Sequence, residues 1–237
     1  MITAEISEIF VSIQGEGLYC GQKQVFVRFA GCNLACAYCD EPAAAKRRPK
    51  RCLAPFCERT VSSVAAEVIK LARGSRARAV SLTGGEPLLN REFIKALAPA
   101  LKKAGLAVHL ETNGTLYREL AGLKGISDVI AMDIKLPSST RGKAFWGEHA
   151  KFLAVAPEKT FVKIVVTSKT SVVDLRKAVN ISAKARKAIP FFIQPATPKG
   201  GVRPPSDKKT DFFYKLAALR LENVRILPQM HKLWGIK

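Results

Sequence analysis

The stretch Phe29-Ala30-Gly31-Cys32-Asn33-Leu34-Ala35-Cys36-Ala37-Tyr38-Cys39-Asp40 sets three cysteines in a CxxxCxxC run. Three thiolates so spaced on one loop can wrap a single iron–sulfur cube. A 4Fe–4S cluster has four irons and is usually held by four cysteines. Three ligands therefore leave one iron open to a small molecule. A structural zinc ion asks for four ligands, usually in paired C-x₂₋₄-C units. A disulfide would leave one cysteine of the three over. The cluster is the occupant this loop is expected to hold.

The surroundings agree. Val25-Phe26-Val27-Arg28-Phe29 alternates and is rich in β-branched and aromatic residues, which predicts a strand ending at the cysteine loop. In α/β folds, sites lie at the carboxyl ends of strands. Strand-like and helical runs then alternate. Ala79–Leu82, Ala107–Leu110, Asp128–Met132, Phe161–Val166 and Pro190–Ile193 read as strands. Arg91–Lys103 carries Phe93, Ile94, Leu97 and Leu101 near helical spacing, Ser171–Lys187 starts at a capping serine, and Asp211–Leu221 is a further helix. Repeated βα units imply a mainly parallel sheet. The expected fold is α/β, a partial (β/α) TIM-like barrel. Residues 41–59, with Ala43-Ala44-Ala45, Pro49 and Pro55, break the alternation and read as a basic insertion after the cluster loop.

A length of 237 residues and a mass of 25.9 kDa suit one domain, residues 1–237. The 48% hydrophobic fraction is that of a chain with a real core. No run approaches the roughly 18 apolar residues of a membrane span. Met1-Ile2-Thr3-Ala4-Glu5 lacks the basic-then-apolar order of a signal peptide. A cytoplasmic location without a membrane partner is expected, and it suits an oxygen-sensitive cluster. Lys and Arg number 39 against 19 Asp and Glu, a net charge of +20. Nucleic acid and anionic small molecules are both compatible with that excess. Its densest run is Lys46-Arg47-Arg48-Pro49-Lys50-Arg51, but much of the rest is scattered over expected helices, as at Lys184, Arg186 and Lys187. That scatter reads as a solvated surface rather than a binding groove.

The cysteine spacing resembles that of the radical S-adenosylmethionine enzymes, in which the amino acid end of S-adenosylmethionine chelates the open iron. Further blocks narrow the resemblance. Glu8-Ile9-Phe10-Val11-Ser12-Ile13-Gln14-Gly15-Glu16-Gly17, then Phe26-Val27-Arg28, then the cysteine run, resembles the opening of the 7-carboxy-7-deazaguanine synthase family. Thr83-Gly84-Gly85-Glu86-Pro87, Glu111-Thr112-Asn113-Gly114, Met132-Asp133-Ile134-Lys135-Leu136-Pro137, Gln194-Pro195 and Gln229-Met230-His231-Lys232 follow in the family's order, so the likeness spans nearly the whole chain.

The resemblance implies a lyase. Its cluster delivers an electron to S-adenosylmethionine, and the radical formed starts the ring contraction of 6-carboxy-5,6,7,8-tetrahydropterin. The product is 7-carboxy-7-deazaguanine, ammonia is lost, and the route leads to queuosine and related deazapurines. It implies Cys32, Cys36 and Cys39 as cluster ligands. It implies Tyr38, Gly85, Glu86, Asp133, Ile134, Lys135, Gln194, Pro195, Ala196 and Thr197 against S-adenosylmethionine. Ile13, Gln14, Gly15, Arg28, Thr83, His231 and Lys237 are implied against the pterin. A homodimer and an external electron donor such as flavodoxin or ferredoxin are implied as well. The residue types fit these roles. Gly84 and Gly85 let a ligand approach backbone closely. Glu86 can accept from an ammonium, and the Gln14 amide can read a heterocycle. The planar fork of Arg28 matches a carboxylate. His231 and the terminal carboxylate of Lys237 would close over the substrate.

One position departs from the family. Thr or Ser usually follows Cys-Asp, where its hydroxyl helps hold Mg²⁺; here Glu41 stands there. Magnesium prefers oxygen ligands and often takes carboxylates. Three outcomes stay open: Glu41 replaces the hydroxyl, the metal is lost, or Glu41 pairs with the basic insertion. Cys52 and Cys57 read as free thiols or a redox pair. Two other functions compete with the main one. A glycyl-radical activase would share the cysteine loop and Gly-Gly-Glu-Pro without needing the Ile13–Gly17 block. A non-catalytic basic RNA-binding iron–sulfur protein would use the charge alone.

Overall fold

A computed structural model of the chain describes residues 1–41 and 57–236. Its first strand, β1 (Thr3–Ile13), lies antiparallel to β2 (Lys23–Phe29) on one side and to β3 (Cys57–Thr60) on the other. From there strand and helix alternate: α1 (Val61–Ser75), β4 (Ala79–Gly84), α2 (Arg91–Lys103), β5 (Ala107–Thr112), α3 (Tyr117–Ala121) and β6 (Val129–Asp133). After them come α4 (Pro137–Thr140), α5 (Trp146–Val155), β7 (Thr160–Val166), α6 (Val172–Ala185) and β8 (Phe191–Pro195). The chain closes with α7 (Asp207–Ala218), β9 (Val224–Ile226) and α8 (Met230–Leu233).

All strands join one sheet in the order β3-β1-β2-β4-β5-β6-β7-β8-β9. The pairs from β2–β4 to β8–β9 are parallel. The end strands β3 and β9 do not pair, so the barrel is open, as expected.

Local chemistry explains the elements. The α2 stripe of Phe93, Ile94, Leu97 and Leu101 is buried against the sheet, as its spacing predicts. The Ser171 hydroxyl accepts from Asp174 N at 3.1 Å and starts α6 where a cap was read. Thr60 caps α1 in the same way, accepting from Ser63 N at 3.2 Å. α7 begins earlier than expected because Ser206 accepts from Lys209 N at 3.3 Å, and the residues after this cap complete a further turn. Beneath the site, the barrel interior holds polar groups that satisfy one another. Ser81 donates to Gln24 Oε1 at 2.7 Å, and Gln24 Nε2 meets His109 Nδ1 at 3.2 Å. Burial pushes His109 down to about 4, so the ring is neutral there.

The expected insertion is shorter at its end. Cys57, Glu58 and Arg59 are strand residues, with Ile6 opposite Cys57 and Thr3 opposite Thr60. β-branched Thr60 and the edge position of β3, rather than a hydrophobic pattern, carry this pairing. Residues 42–56, with Cys52 and the densest basic run, lie outside the described residues, as does Lys237. Among the described residues no helix is long and apolar enough to cross a membrane.

Candidate active site

The carboxyl ends of the parallel strands open on one cavity of about 750 Å³. Cys32, Cys36 and Cys39 line it from the loop after β2. Of the residues expected against S-adenosylmethionine, Tyr38, Gly85, Asp133, Lys135, Gln194, Ala196 and Thr197 line it. Of those expected against the pterin, Ile13, Gln14, Gly15, Arg28, Thr83 and His231 line it, and so does Glu41. Residues 13 and 231 thus meet on the same wall: Met230 N donates to Gly15 O at 2.9 Å. A Cβ at Gly15 would sit 2.4 Å from His231 Nδ1, so this closure requires glycine.

Three expected residues lie elsewhere. Ile134 is buried in the main core, and Pro195 is not part of the cavity wall. Glu86 departs most from its expected role as an ammonium acceptor. It is 0% exposed and its carboxylate accepts from Leu88 N at 3.1 Å, the Thr112 hydroxyl at 2.8 Å and Asn113 N at 2.8 Å. Burial pushes it up to about 7 against those donors. Glu86 ties the loop after β4 to the loop after β5. The glycines before it also serve the protein itself. Gly85 N donates to Phe29 O at 3.0 Å and Glu86 N to Gly31 O at 2.8 Å. A Cβ on Gly85 would stand 2.0 Å from Gly31 O. The Gly-Gly turn is thus the seat on which the cysteine loop rests.

The three cysteines are free and half-buried. Burial pushes each thiol up, so a metal's charge is needed to hold them as thiolates. Three thiols on one loop suit a cluster that keeps one iron open. Among the described residues the His/Cys/Asp/Glu group whose ligand atoms converge within 4.8 Å is Glu16, Asp40 and His231, and all three line the same cavity. One buried polar atom on the same wall, Asp133 Oδ1, has no hydrogen-bond partner among the described residues. Such a group can receive a polar ligand.

Charge on the floor is paired in a chain. Glu16 is ion-paired with Lys163, Lys163 lies 3.7 Å from Asp133, and Asp133 is 2.8 Å from Lys135. Lys135 in turn sits 5.2 Å over the Tyr38 ring. Gln194 Nε2 and Gln229 Nε2 donate to Glu16 at 3.3 and 2.8 Å. Burial alone would push Glu16 up, but the Lys163 ammonium and the Gln229 amide hold it down at about 2. Burial lowers His231, which favours a neutral ring able both to donate and to accept. On the opposite wall Gln14 Nε2 and the Thr83 hydroxyl each donate to Glu111, both at 2.8 Å. At the rim Arg28 faces Glu8 at 3.6 Å and Glu41 at 3.4 Å, and lies over the Phe10 ring at 5.5 Å.

Glu16, Asp40, Glu111 and Gln229 stand inside the quoted motifs but carry no assigned role there, and Lys163 stands inside an expected strand. Lys163 interrupts an otherwise apolar strand, and that interruption was the available signal.

A cysteine loop, an open wall and a barrel mouth of this kind define a class. Residues 26–167 match the Radical SAM superfamily, and the chain belongs to it. Members of that superfamily hold a 4Fe–4S cluster and S-adenosylmethionine, and the donor set described above fits both. A 7-carboxy-7-deazaguanine synthase of Geobacter sulfurreducens is 38% identical over 98% of this chain and 97% of its own length. One from Methanopyrus kandleri is 33% identical over 96% of this chain and 92% of its own. The chain therefore belongs to the 7-carboxy-7-deazaguanine synthase family. The crystal structure of QueE from Escherichia coli shares the fold, with a TM-score of 0.67 over 98% of this chain and 96% of that one at 21% identity.

Proposed function

We propose that this protein, as a single domain, converts 6-carboxy-5,6,7,8-tetrahydropterin to 7-carboxy-7-deazaguanine with loss of ammonia, in the cytoplasmic synthesis of queuosine-type deazapurines. The observation that carries the reading is the convergence of Ile13, Gln14, Arg28, Thr83 and His231 on the cavity that the three cysteines line. An activase sharing only the cysteine loop and the Gly-Gly turn has no need of the first and last of these.

When bound, the cluster and S-adenosylmethionine supply the one-electron cleavage and hydrogen abstraction that start the reaction. The protein's part is to hold, orient and shield. Cys32, Cys36 and Cys39 hold the cluster. Asp133 Oδ1 offers its unspent hydrogen bond to S-adenosylmethionine, beside Tyr38, Gly85, Gln194, Ala196 and Thr197. Arg28 grips the pterin carboxylate through its guanidinium fork. Glu111, oriented by Gln14 and Thr83, presents its carboxylate to the N–H edge of the heterocycle, and neutral His231 covers the other side. Lys163 keeps Glu16 ionised, so the floor does not take up a proton near neutral pH.

Glu41 stands against Arg28. It would have to leave that guanidinium for the substrate carboxylate to enter, and Mg²⁺ is the cation that would receive it, beside Asp40. The electron donor is a separate protein such as flavodoxin or ferredoxin, and the working unit is a homodimer.

The test is product analysis. The protein is reconstituted with iron and sulfide without oxygen, then incubated with S-adenosylmethionine, reductant and the carboxytetrahydropterin, with and without Mg²⁺. Mass spectrometry should find 7-carboxy-7-deazaguanine. Deoxyadenosine without the deazapurine would mean a different substrate for the same radical chemistry.

A further inference from the structure

Asn113 follows β5 in the Glu111-Thr112-Asn113-Gly114 block and is buried behind the cysteine loop. Its amide nitrogen donates to Asn33 Oδ1 at 2.8 Å, next in sequence to the first cysteine. The same nitrogen lies 4.0 Å from Cys32 Sγ as a donor. The amide oxygen accepts from the Thr115 hydroxyl at 2.6 Å and from Thr115 N at 3.1 Å. A flipped amide would set its NH₂ against the Thr115 backbone N–H, which can only donate, so that bond fixes the orientation that puts N–H toward sulfur.

The backbone of Asn113 is fastened as well. Its N–H goes to Glu86 Oε2 at 2.8 Å, and its carbonyl meets Nε2 of the fully buried His149 at 3.2 Å. Burial pushes His149 down to about 4, so the neutral ring donates one N–H to that carbonyl. Cys32 Sγ also accepts from Leu34 N at 3.4 Å. A side-chain donor differs from a backbone one in that substitution can remove it.

We propose that Asn113 is a positioning residue for the iron–sulfur cluster, whose amide N–H, aimed at the Cys32 sulfur, raises the cluster's reduction potential. The physical reason is electrostatic. Reduction adds negative charge, part of which falls on the ligating sulfurs. An N–H dipole directed at one of them stabilises the reduced form more than the oxidised one. Hydrogen bonds to cluster sulfurs and burial are among the terms that set such potentials. In a buried site the effect is less screened than in water. Asn113 also binds the adjacent Asn33, so it sets the pose of the loop as well as the charge on one ligand. This inference rests on the reading of Cys32, Cys36 and Cys39 as cluster ligands.

The experiment is a potentiometric titration of the reconstituted full chain, followed by electron paramagnetic resonance of the reduced cluster, with iron and sulfide content measured alongside. Wild type is compared with Asn113→Ala, Asn113→Asp and Thr115→Val. Asn113→Ala removes the donor. Asn113→Asp keeps the shape and replaces the donor with an acceptor. Thr115→Val keeps the donor but loosens its aim. At a fixed solution potential, the ratio of reduced to oxidised cluster should fall about fivefold in Asn113→Ala, the scale of one hydrogen bond. It should fall further in Asn113→Asp and less in Thr115→Val.

Wild-type ratios in both Asn113 variants at full cluster content would overturn the proposal. A wild-type protein that takes up no cluster would overturn the reading on which it rests, and the proposal with it. If the Asn113 variants hold no cluster, resonance Raman of the wild type and Thr115→Val decides. Leu34 N contributes to the D₂O shift of the iron–cysteine stretches equally in both, so the shift should be smaller in Thr115→Val, and equal shifts would overturn the proposal.

Discussion

The wall behind the cysteine loop and the rim around Arg28 are built by opposite means. The wall uses glycines, backbone groups and amides around the buried Glu86 carboxyl, each donor pinned to a named acceptor, as where Asn113 joins Asn33, Thr115 and Glu86. The rim pairs charges at longer range, with the Arg28 guanidinium 3.6 Å from Glu8 and 3.4 Å from Glu41, both carboxylates more open than Arg28 itself. Fully buried bonds allow one geometry, because losing any partner leaves a desolvated group unpaired. Partly exposed ion pairs are worth little and exchange partners readily. On the proposed function, the contrast suits a wall that holds a fixed cofactor and a rim that exchanges one carboxylate for another.

The largest effect should come from the cysteine loop. Cys36→Ala should abolish the visible absorbance of the reconstituted cluster and all turnover, checked by iron analysis and product assay. Retained activity would remove the cluster from the chemistry.

Next is the floor. Lys163→Met leaves Glu16 buried without its cation, which should cost about 3–5 kcal/mol of stability at pH 7. Glu16 has a folded pKa of about 2 against a reference of 4.5. Its contribution is therefore present above 4.5 and lost as pH falls toward about 2. The gap between wild type and Lys163→Met should shrink in that window, as urea unfolding at pH 7 and pH 3.5 would register. A gap that is constant with pH would separate Lys163 from the ionisation of Glu16.

The smallest effect belongs to the rim. Glu41→Thr removes the carboxylate that occupies Arg28 and restores the family's hydroxyl. KM for the carboxylated pterin should fall severalfold, the scale of an exposed ion pair, with the cluster spectrum unchanged. A raised KM would mean that Glu41 supports substrate binding, directly or through Mg²⁺, more than it competes for Arg28.

Much of this was legible in the sequence. The α2 helix occupies the residues its apolar spacing marked, and Ser171 caps α6 as read. The cysteine loop, Arg28, Thr83 and Gln14 reach the cavity expected of them. What was not legible depends on distance along the chain. Lys163 and Glu16 are 147 residues apart, and Gln14 and Glu111 are 97 apart. No local pattern couples such pairs; the sheet order does. Glu86 was misread for a related reason. A Gly-Gly-Glu turn looks like a ligand cradle, whereas the buried donors of Leu88, Thr112 and Asn113 claim its carboxylate. Strand β3 escaped notice because an edge strand can be short and polar.

The division between wall and rim is tested most directly at Arg28. Arg28→Ala would be reconstituted, and two quantities measured on the same sample: the electron paramagnetic resonance spectrum of the reduced cluster with S-adenosylmethionine, and kcat/KM for the carboxytetrahydropterin. The expected result is an unchanged spectrum with kcat/KM lower by on the order of 100-fold, the loss of one charge-assisted forked contact. A perturbed spectrum with kcat/KM falling in step, or an unchanged kcat/KM, would contradict it.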